Sequence, residues 1–201
     1  MRCIISQVYR KTKGSRHMKI TMLNGNPDPD NQKFDDYLNN LVKLLESSDN
    51  SVVHFKLLEM KIRPCRGCFD CWLKTPGQCI FKDDSHDICR EIINSDFLLC
   101  AAPLVMGFPS AVLKIAMDKL IPLLLPYIEL VDNKECHHMK RYDKYPLIGL
   151  IIEKEDDTDS EDIEIVNDIF SRFAIDFKTS SRFVMQTDIP VQEISDEINR
   201  I

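Results

Sequence analysis

The segment DFLLCAA, residues 96–102, is the stretch from which the fold of this chain is best predicted. Its apolar side chains follow one another without alternation, and Pro103 comes directly after them. A short continuous apolar run is typical of a parallel strand that helices cover on both faces of a sheet. We therefore predict a central buried strand that ends at Pro103, with Cys100 in the core.

Four other apolar runs of similar length are predicted to be strands of the same sheet, and helical segments separate them. These strands are KITMLN at 19–24, SVVHFKL at 51–57, LIGLII at 147–152 and RFVMQ at 182–186. In the first helical segment, apolar residues recur at three- and four-residue spacing: Phe34, Leu38, Leu41, Leu44 and Leu45. This alternation predicts an α/β, doubly wound fold with a five-stranded parallel sheet.

Loops at the carboxyl ends of the strands form the predicted binding edge, because open α/β sheets bind ligands there. This rule places residues 24–33, 65–79 and 103–108 on one edge, and the acidic segment 153–160 on the same side. Those acidic residues are predicted to form a solvated loop and the start of a helix rather than a cation site, because the spacing of a calcium loop is absent.

Two segments in the second half of the chain are predicted to form a helix and an exposed loop rather than strands. Ser110 starts a predicted helix that runs through Ile121 and is bent or ended by Pro122 and Pro126. The Cys-His-His group at 136–138 lies in a charged stretch without a second ligand pair, so an exposed loop is predicted there.

The composition favours one domain, residues 18–201, preceded by a basic N-terminal extension, residues 1–17. The chain has 201 residues, of which 44% are hydrophobic, and a net charge of -6. That charge provides no basic surface for nucleic acid, and no apolar run approaches the ~20 residues that span a bilayer. Neither nucleic acid nor a membrane is therefore an expected partner. A secretory leader is not evident, so we expect a cytoplasmic location with reduced thiols.

A cluster of cysteines, CRGCFDCWLKTPGQC at 65–79, is the most distinctive motif. It places Cys65, Cys68, Cys71 and Cys79 in C-x2-C-x2-C-x7-C spacing, and the Pro76-Gly77 turn can bring the fourth thiol back to the others. Such spacing lets sulfurs converge on a zinc ion or an iron–sulfur cluster. The alternatives are thiols that pack as buried hydrophobes and thiols that are redox-active.

Several segments together resemble the flavodoxin-like family of NAD(P)H-dependent FMN reductases, which includes the iron-sulfur flavoproteins. They are LNGNP at 23–27, CRGCFDCWLKTPGQCIFKDD at 65–84, SDFLLCAAPLVMGFPSAVLK at 95–114, and Asp118. The resemblance implies a three-layer fold with sheet order 2-1-3-4-5. It also implies that the FMN phosphate binds in the loop after the first strand, and that the isoalloxazine ring lies against the loop beginning at Pro103.

The resemblance carries over to candidate FMN-binding residues in these two loops. They are Asn24, Gly25, Asn26, Asn31, Lys33 and Phe34 in the first, and Pro103, Leu104, Val105, Met106, Gly107 and Phe108 in the second. Where the family usually has N-G-S-P, Asn26 replaces the serine, and Asp28 and Asp30 add negative charge. A helix N-terminus, two asparagine amides and the Lys33 ammonium can still bind a phosphate. The alternative is a capped Asn-Pro-Asp turn that binds none.

The predicted function is that of an oxidoreductase in which NAD(P)H reduces FMN, which passes electrons to a quinone, a free flavin or another small-molecule or protein acceptor. Because the flavin carries the chemistry, no catalytic side chain is predicted. One alternative is an electron carrier with FMN and a [4Fe-4S] cluster on the four cysteines, and another is a cofactor-free interaction module. The apolar, proline-broken segment 120–130 predicts a homodimer or homotetramer.

Overall fold

The computed structural model describes residues 17–131 and 135–201. The predicted N-terminal extension, apart from His17, lies outside the described residues. The strands are β1 (Lys19–Asn24), β2 (Ser51–Lys56), β3 (Phe97–Val105), β4 (Phe108–Pro109), β5 (Leu124–Val131), β6 (Glu135–Lys140), β7 (Leu147–Glu153) and β8 (Ser181–Gln186). The α-helices are α1 (Gln32–Ser47), α2 (Asp70–Leu73), α3 (Ser85–Ile93), α4 (Ala111–Asp118), α5 (Ser160–Asp176) and α6 (Val191–Asn199).

Five of these strands form one parallel sheet in the order β2-β1-β3-β7-β8. Counted along the chain within this sheet, that order is 2-1-3-4-5, and the fold predicted from the sequence is confirmed. The short strand β4 pairs antiparallel with the end of β3, while β5 and β6 form a separate two-stranded hairpin. Within the described ranges, every helix is too short or too polar to cross a bilayer.

The central strand β3 has a fully buried side chain at each position from Phe97 to Ala102. Successive side chains point to opposite faces of the sheet, so the strand contributes to two cores. Phe97, Leu99 and Ala101 pack with α1 and α6, whereas Leu98, Cys100 and Ala102 pack with α3, α4 and α5. Burial raises the pKa of the Cys100 thiol to about 12, so this cysteine is an inert core residue.

Strand β3 continues through Pro103, where the sequence predicted that it would end. Pro103 lies in register with Glu153 of β7, and Leu104 pairs with Pro109 of β4. Proline removes only a hydrogen-bond donor, and the Pro103 carbonyl accepts from the Ser110 N–H at 3.2 Å. The neighbouring strand and the hairpin therefore extend β3 past the proline to Val105.

The prediction for the segment after α4 was also wrong. The helix ends at Asp118, and residues 124–131 form β5 instead of a bent helix. Residues 136–138 belong to its partner β6 rather than to an exposed loop, and His137 is buried. Pro122 and Pro126 exclude a continuing helix, but only the pairing of two separated segments gives this region a regular structure.

The β5–β6 hairpin is attached to α5 through His137. Its ring nitrogens lie 2.7 Å from Asp176 Oδ1 and 3.0 Å from Glu135 Oε2. The hydrogen bond to Asp176 raises the pKa of His137; burial opposes that shift, and Glu135 adds to it. A second link is the ion pair between Lys178 Nζ and Glu129 Oε1 at 3.0 Å.

We expect His137 to stabilise the protein more in mild acid than in mild base. Because the pKa is raised in the folded state, the stabilisation is fully present below the ordinary histidine pKa and is lost as the pH rises through the folded-state value. Replacing His137 by Gln should therefore lower the Tm by about 2 °C more at about pH 6 than at about pH 8.5. The measurement is thermal unfolding of both proteins at the two pH values.

A double variant that also carries Asp176→Asn is the control, since it removes the strongest cause of the shift. In this background the His137→Gln change should lose most of its pH dependence. A destabilisation that is equal at both pH values, or larger in base, would contradict the prediction.

Candidate functional site

The first loop, residues 25–31, is held against the end of β3 and the start of α4. The Gly25 N–H donates to the Ala101 carbonyl at 2.7 Å, and Ser110 Oγ donates to the Gly25 carbonyl. A Cβ atom on Gly25 would lie 2.6 Å from the Cβ of Leu113. The glycine therefore permits a backbone approach that brings the two predicted FMN-binding loops side by side.

The asparagine amides of this region mainly hold the loop together. Asn24 and Asn26 are buried, and both donate to Asp35 Oδ1, at 2.8 and 3.1 Å. Asn26 also donates to the Asn31 carbonyl at 3.2 Å and accepts from the Asp28 N–H at 3.2 Å. Their side chains therefore fix the shape of the loop rather than extend to its outer surface.

The remaining predicted residues of the first loop differ widely in exposure. The Asn31 side chain caps α1 by accepting from the Phe34 N–H at 3.2 Å and donates to Glu153 Oε2 at 2.6 Å. The Phe34 ring is buried in the core, whereas Lys33 is exposed. Of these side chains, Lys33 is the one that is free to approach a phosphate from solution.

The second predicted loop is the turn of the β3–β4 hairpin. Its tip, Met106 and Gly107, has φ values of 54° and 77°, so two successive residues are in the left-handed region. This backbone presents two neighbouring N–H groups, which donate to Glu155 Oε1 and Oε2 at 2.9 Å each. These hydrogen bonds, from Gly107 first and then Met106, lower the pKa of Glu155.

Around the tip, the other predicted side chains form an apolar surface. Leu104 is buried and Pro103 half-buried, while Val105 and Phe108 are about half exposed, at 48% and 54%. An apolar cavity of about 350 Å³ adjoins the hairpin, and its lining residues are Phe108, Pro109, Lys114, Met117, Ile169 and Phe170. All of these lining residues except Lys114 are apolar, so the cavity is suited to an apolar molecule.

Glu153 and Glu155 are site residues that the sequence did not single out. The acidic segment was predicted to lie on this edge, but no partner for its carboxylates was predicted. The only available signal was the position of the acidic run directly after β7. Because the donors come from loops far away in the sequence, no local pattern identifies these contacts.

The four cysteines of the motif surround one small cavity of about 30 Å³. Cys71 is buried, Cys79 half-buried, and Cys65 and Cys68 exposed. Burial raises the pKa of Cys71, and the neighbouring Cys79, Cys65 and Cys68 raise it further. In the described part of the chain, no three His, Cys, Asp or Glu side chains are arranged to hold a metal ion. The predicted ligands therefore share a cavity without forming a coordination shell.

A buried ammonium group lies beside this cavity. The Lys119 side chain is 2% exposed, and its Nζ donates to Cys79 Sγ at 3.0 Å and pairs with Asp83 Oδ2 at 3.1 Å. Burial opposes the charge of Lys119, but the contacts with Cys79 and Asp83 raise its pKa. Burial likewise opposes the charge of Asp83, yet hydrogen bonds from Ser85, the Arg63 N–H and Lys119 lower its pKa. The ion pair thus keeps a positive charge next to the thiols.

Trp72 attaches the cysteine loop, residues 65–79, to the β5–β6 hairpin. Its Nε1 donates to the Leu124 carbonyl at 2.9 Å, and its ring centroid lies 4.9 Å from that of His138 and 5.3 Å from that of Phe69. The walls of the cysteine cavity come from residues 65–81 and 119–122. The cysteine site and the predicted FMN-binding edge are therefore built from different segments.

Comparison with known proteins identifies the family to which this chain belongs and supports its fold. Residues 18–137 match the family model of NADPH-dependent FMN reductase. An iron-sulfur flavoprotein of Methanocaldococcus jannaschii is 26% identical over 117 residues, 55% of this chain and 55% of that protein. One of Archaeoglobus fulgidus is 31% identical over 81 residues, 40% of this chain and 36% of that protein. The matches span about half, or less, of the length of these curated relatives.

Solved structures of similar shape include two oxidoreductases. An NAD(P)H:quinone oxidoreductase from Methanothermobacter marburgensis has a TM-score of 0.62 at 12% identity, over 92% of this chain and 94% of that chain. An azoreductase from Bacillus anthracis has a TM-score of 0.61 at 12% identity, with the same coverage of both chains. At this identity the likeness shows the fold alone. Because the family model covers more than half of the sequence, the chain belongs to the NADPH-dependent FMN reductase family.

Proposed function

We propose that this protein binds FMN at the edge formed by the first loop and the β3–β4 hairpin, and that NAD(P)H is its reductant. The observation that carries the proposal is the junction at Gly25, which brings these two loops together within the part of the chain that matches the family model. FMN, when bound, supplies the electron-transfer chemistry. The protein binds and orients it.

Individual residues have different roles in this proposal. Lys33 and the N-terminus of α1 attract the phosphate, since a helix N-terminus favours an anion. The buried side chains of Asn24 and Asn26 fix the conformation of the first loop. The N–H groups of Met106 and Gly107 donate to acceptor atoms at the edge of the flavin ring, and their availability for this role depends on Glu155.

The electron acceptor we propose is a small, flat, apolar molecule such as a quinone. The apolar cavity of about 350 Å³ next to the hairpin supports this choice, because it adjoins the loop that would contact the flavin ring. The similar structures include an NAD(P)H:quinone oxidoreductase and an azoreductase, and the first of these names a quinone as the acceptor. A free flavin or a protein acceptor remains the alternative.

FMN binding can be tested through the glycine at the hairpin tip. Apoprotein titrated with FMN should show a saturable change in flavin fluorescence at micromolar concentrations. Gly107 has a φ of 77°, so Gly107→Ala disfavours this turn by about 1 kcal/mol. The free tip can relax out of the strained turn, whereas the FMN-bound tip must keep it, so FMN binding should weaken about fivefold. Absence of saturation in the wild-type protein would eliminate the proposal.

Gly67→Ala is the matched control for this substitution. Gly67 lies in the cysteine loop and has a similar φ of 63°, and a Cβ atom added there would have no described atom within 4 Å. It carries the same backbone strain away from the proposed flavin site, so its FMN affinity should equal that of the wild type. If both substitutions weakened FMN binding equally, the backbone strain would be acting by destabilising the whole protein rather than the flavin site.

A second candidate function is electron transfer through an iron–sulfur cluster on Cys65, Cys68, Cys71 and Cys79. The observation that favours it is the set of four thiols around one cavity with the Lys119 ammonium beside them. Four thiolates with a cluster carry a net negative charge, which a buried cation offsets. Two curated relatives are named iron-sulfur flavoproteins, which agrees with this candidate.

This candidate predicts that Lys119 assists cluster retention. The test variant combines Lys119→Met with Asp83→Asn, because removing the lysine alone leaves a buried carboxylate unpaired and costs about 3–5 kcal/mol. After anaerobic reconstitution with iron and sulfide, the double variant should retain less than about half of the iron bound by the wild type. Bound iron, bound sulfide and visible absorption are measured, together with the Tm.

Lys114→Met is the control, since Lys114 belongs to the same helical region but is 63% exposed. It should retain as much iron as the wild type. A wild-type protein that takes up no iron or sulfide eliminates the cluster and favours redox-active or structural thiols. Equal retention in all three proteins removes Lys119 from this role.

We also propose that the protein is a homodimer or homotetramer that associates through the β5–β6 hairpin. Ile128 and Leu130 lie on one face of β5 and are 55% and 63% exposed. Exposed apolar side chains on a projecting hairpin are typical of an interface. A second copy of this chain is the occupant that we propose.

The double variant Ile128→Lys and Leu130→Lys should therefore be a monomer by light scattering at concentrations where the wild type is a dimer or larger. Ile165→Lys, at a residue of α5 that is 43% exposed, is the control and should leave the oligomer intact. A wild-type protein that is monomeric throughout a wide concentration range would rule out the assembly.

A further inference from the structure

The two N–H groups at the hairpin tip are already bound by a side chain of the same chain. One carboxylate oxygen of Glu155 accepts from Met106 and the other from Gly107, each at 2.9 Å. Successive N–H groups in a turn form a concave site for anions and other acceptors. Glu155 therefore occupies the position at which an external ligand would accept hydrogen bonds.

The segment that carries Glu155 bridges both predicted FMN-binding loops. Two residues earlier, Glu153 Oε2 accepts from Asn31 of the first loop at 2.6 Å. The Glu155 N–H donates to Thr158 Oγ1 at 2.9 Å, and its carbonyl accepts from the Thr158 N–H at 3.2 Å. The turn thus holds the backbone of Glu155, while its carboxylate is held by the tip.

Other acidic residues lie next to Glu155 in the sequence and close to the hairpin tip on α5. Asp156 and Asp157 follow it directly and are exposed. On α5, Asp162 Oδ1 would lie 3.5 Å from a Cβ atom on Gly107. The hydrogen bonds that lower the pKa of this carboxylate come from the two N–H groups of the tip, so these N–H groups are what keeps it in place. A competing acceptor for those N–H groups can therefore displace it.

We propose that Glu155 is a built-in competitor that occupies the ring-binding N–H groups of the ligand-free protein and is displaced when FMN binds. This inference rests on the proposed function. Glu155 then acts as a specificity-determining residue, because a ligand must offer two adjacent acceptor atoms to replace its two oxygens. In oxidised flavin, N1 beside the C2 carbonyl and N5 beside the C4 carbonyl have that pattern. A ligand that has a donor in place of either acceptor does not.

The test compares Glu155→Ala with Asp157→Ala. Both substitutions remove one negative charge from the same loop, but only the first frees the two N–H groups. Measured by flavin fluorescence, Glu155→Ala should bind FMN at least about tenfold more tightly than the wild type, whereas Asp157→Ala should stay within about threefold. Glu155→Gln, which keeps the size of the side chain and loses its charge, should give an intermediate affinity.

Amide hydrogen exchange in the ligand-free proteins tests the contact without FMN. The Met106 and Gly107 amides should exchange faster in Glu155→Ala than in the wild type, and at the wild-type rate in Asp157→Ala. With saturating FMN, both amides should be protected in all proteins. Thermal unfolding of each variant shows that it is folded before the comparison is made.

The outcomes separate this inference from the proposed function. FMN binding by the wild type with equal affinities in Glu155→Ala and Asp157→Ala overturns the competitor role and leaves the FMN function standing. Weaker binding in Glu155→Ala overturns it as well, because Glu155 would then be a ligand contact. Absence of FMN binding in every protein overturns both.

Discussion

The close approach of Gly25 to the end of β3 and the start of α4 is the constraint on which the proposed FMN site depends. One backbone hydrogen bond to Ala101 and one side-chain hydrogen bond from Ser110 close this junction, and a Cβ atom would meet Leu113 at 2.6 Å. A side chain at residue 25 would separate the two loops. Since neither loop alone provides a complete edge, their separation would remove the site.

The protein has two centres with opposite electrostatics. At the proposed FMN-binding edge, carboxylates of Glu153 and Glu155 accept hydrogen bonds from Asn31 and from the Met106 and Gly107 N–H groups. At the cysteine cavity, a buried ammonium is held beside thiols by Asp83. An edge satisfied by its own acids is stable without a ligand, whereas a buried cation favours a negatively charged group in the cavity. The donors at the proposed FMN-binding edge are therefore already hydrogen-bonded in the ligand-free protein, whereas the cysteine cavity has a cation with which a negatively charged group can interact.

The β5–β6 hairpin positions the second centre. Trp72 binds the Leu124 carbonyl and packs on His138, while His137 attaches the hairpin to α5 through Asp176. Placement of the cysteine loop thus depends on a hairpin outside the parallel sheet. The cysteine loop is therefore packed on a hairpin that the His137–Asp176 hydrogen bond and the Lys178–Glu129 ion pair hold against α5 and the residues directly after it.

Sequence patterns alone were sufficient to predict the parallel sheet, and the motifs were sufficient to identify the family. Burial accounts for the continuous apolar run at 97–102 and for the spacing of Phe34, Leu38, Leu41 and Leu45. The hydrophobic periodicity of the sequence therefore identifies these elements directly. The strand order 2-1-3-4-5 came from the family resemblance and not from periodicity. The rule that the carboxyl ends of parallel strands meet at one edge also predicted that the first loop lies beside the loop at 103–108, and the hydrogen bond from Gly25 to Ala101 holds the first loop against the end of β3.

The partners of the side chains at both sites could be identified only from the packing of distant segments. Asn31 and Glu153 are 122 residues apart, Gly107 and Glu155 are 48 apart, and Cys79 and Lys119 are 40 apart. The sequence likewise missed the β5–β6 hairpin, whose prolines suggested a broken helix. Each of these contacts forms when distant segments pack, and a local pattern of residues carries no information about a partner that the fold supplies.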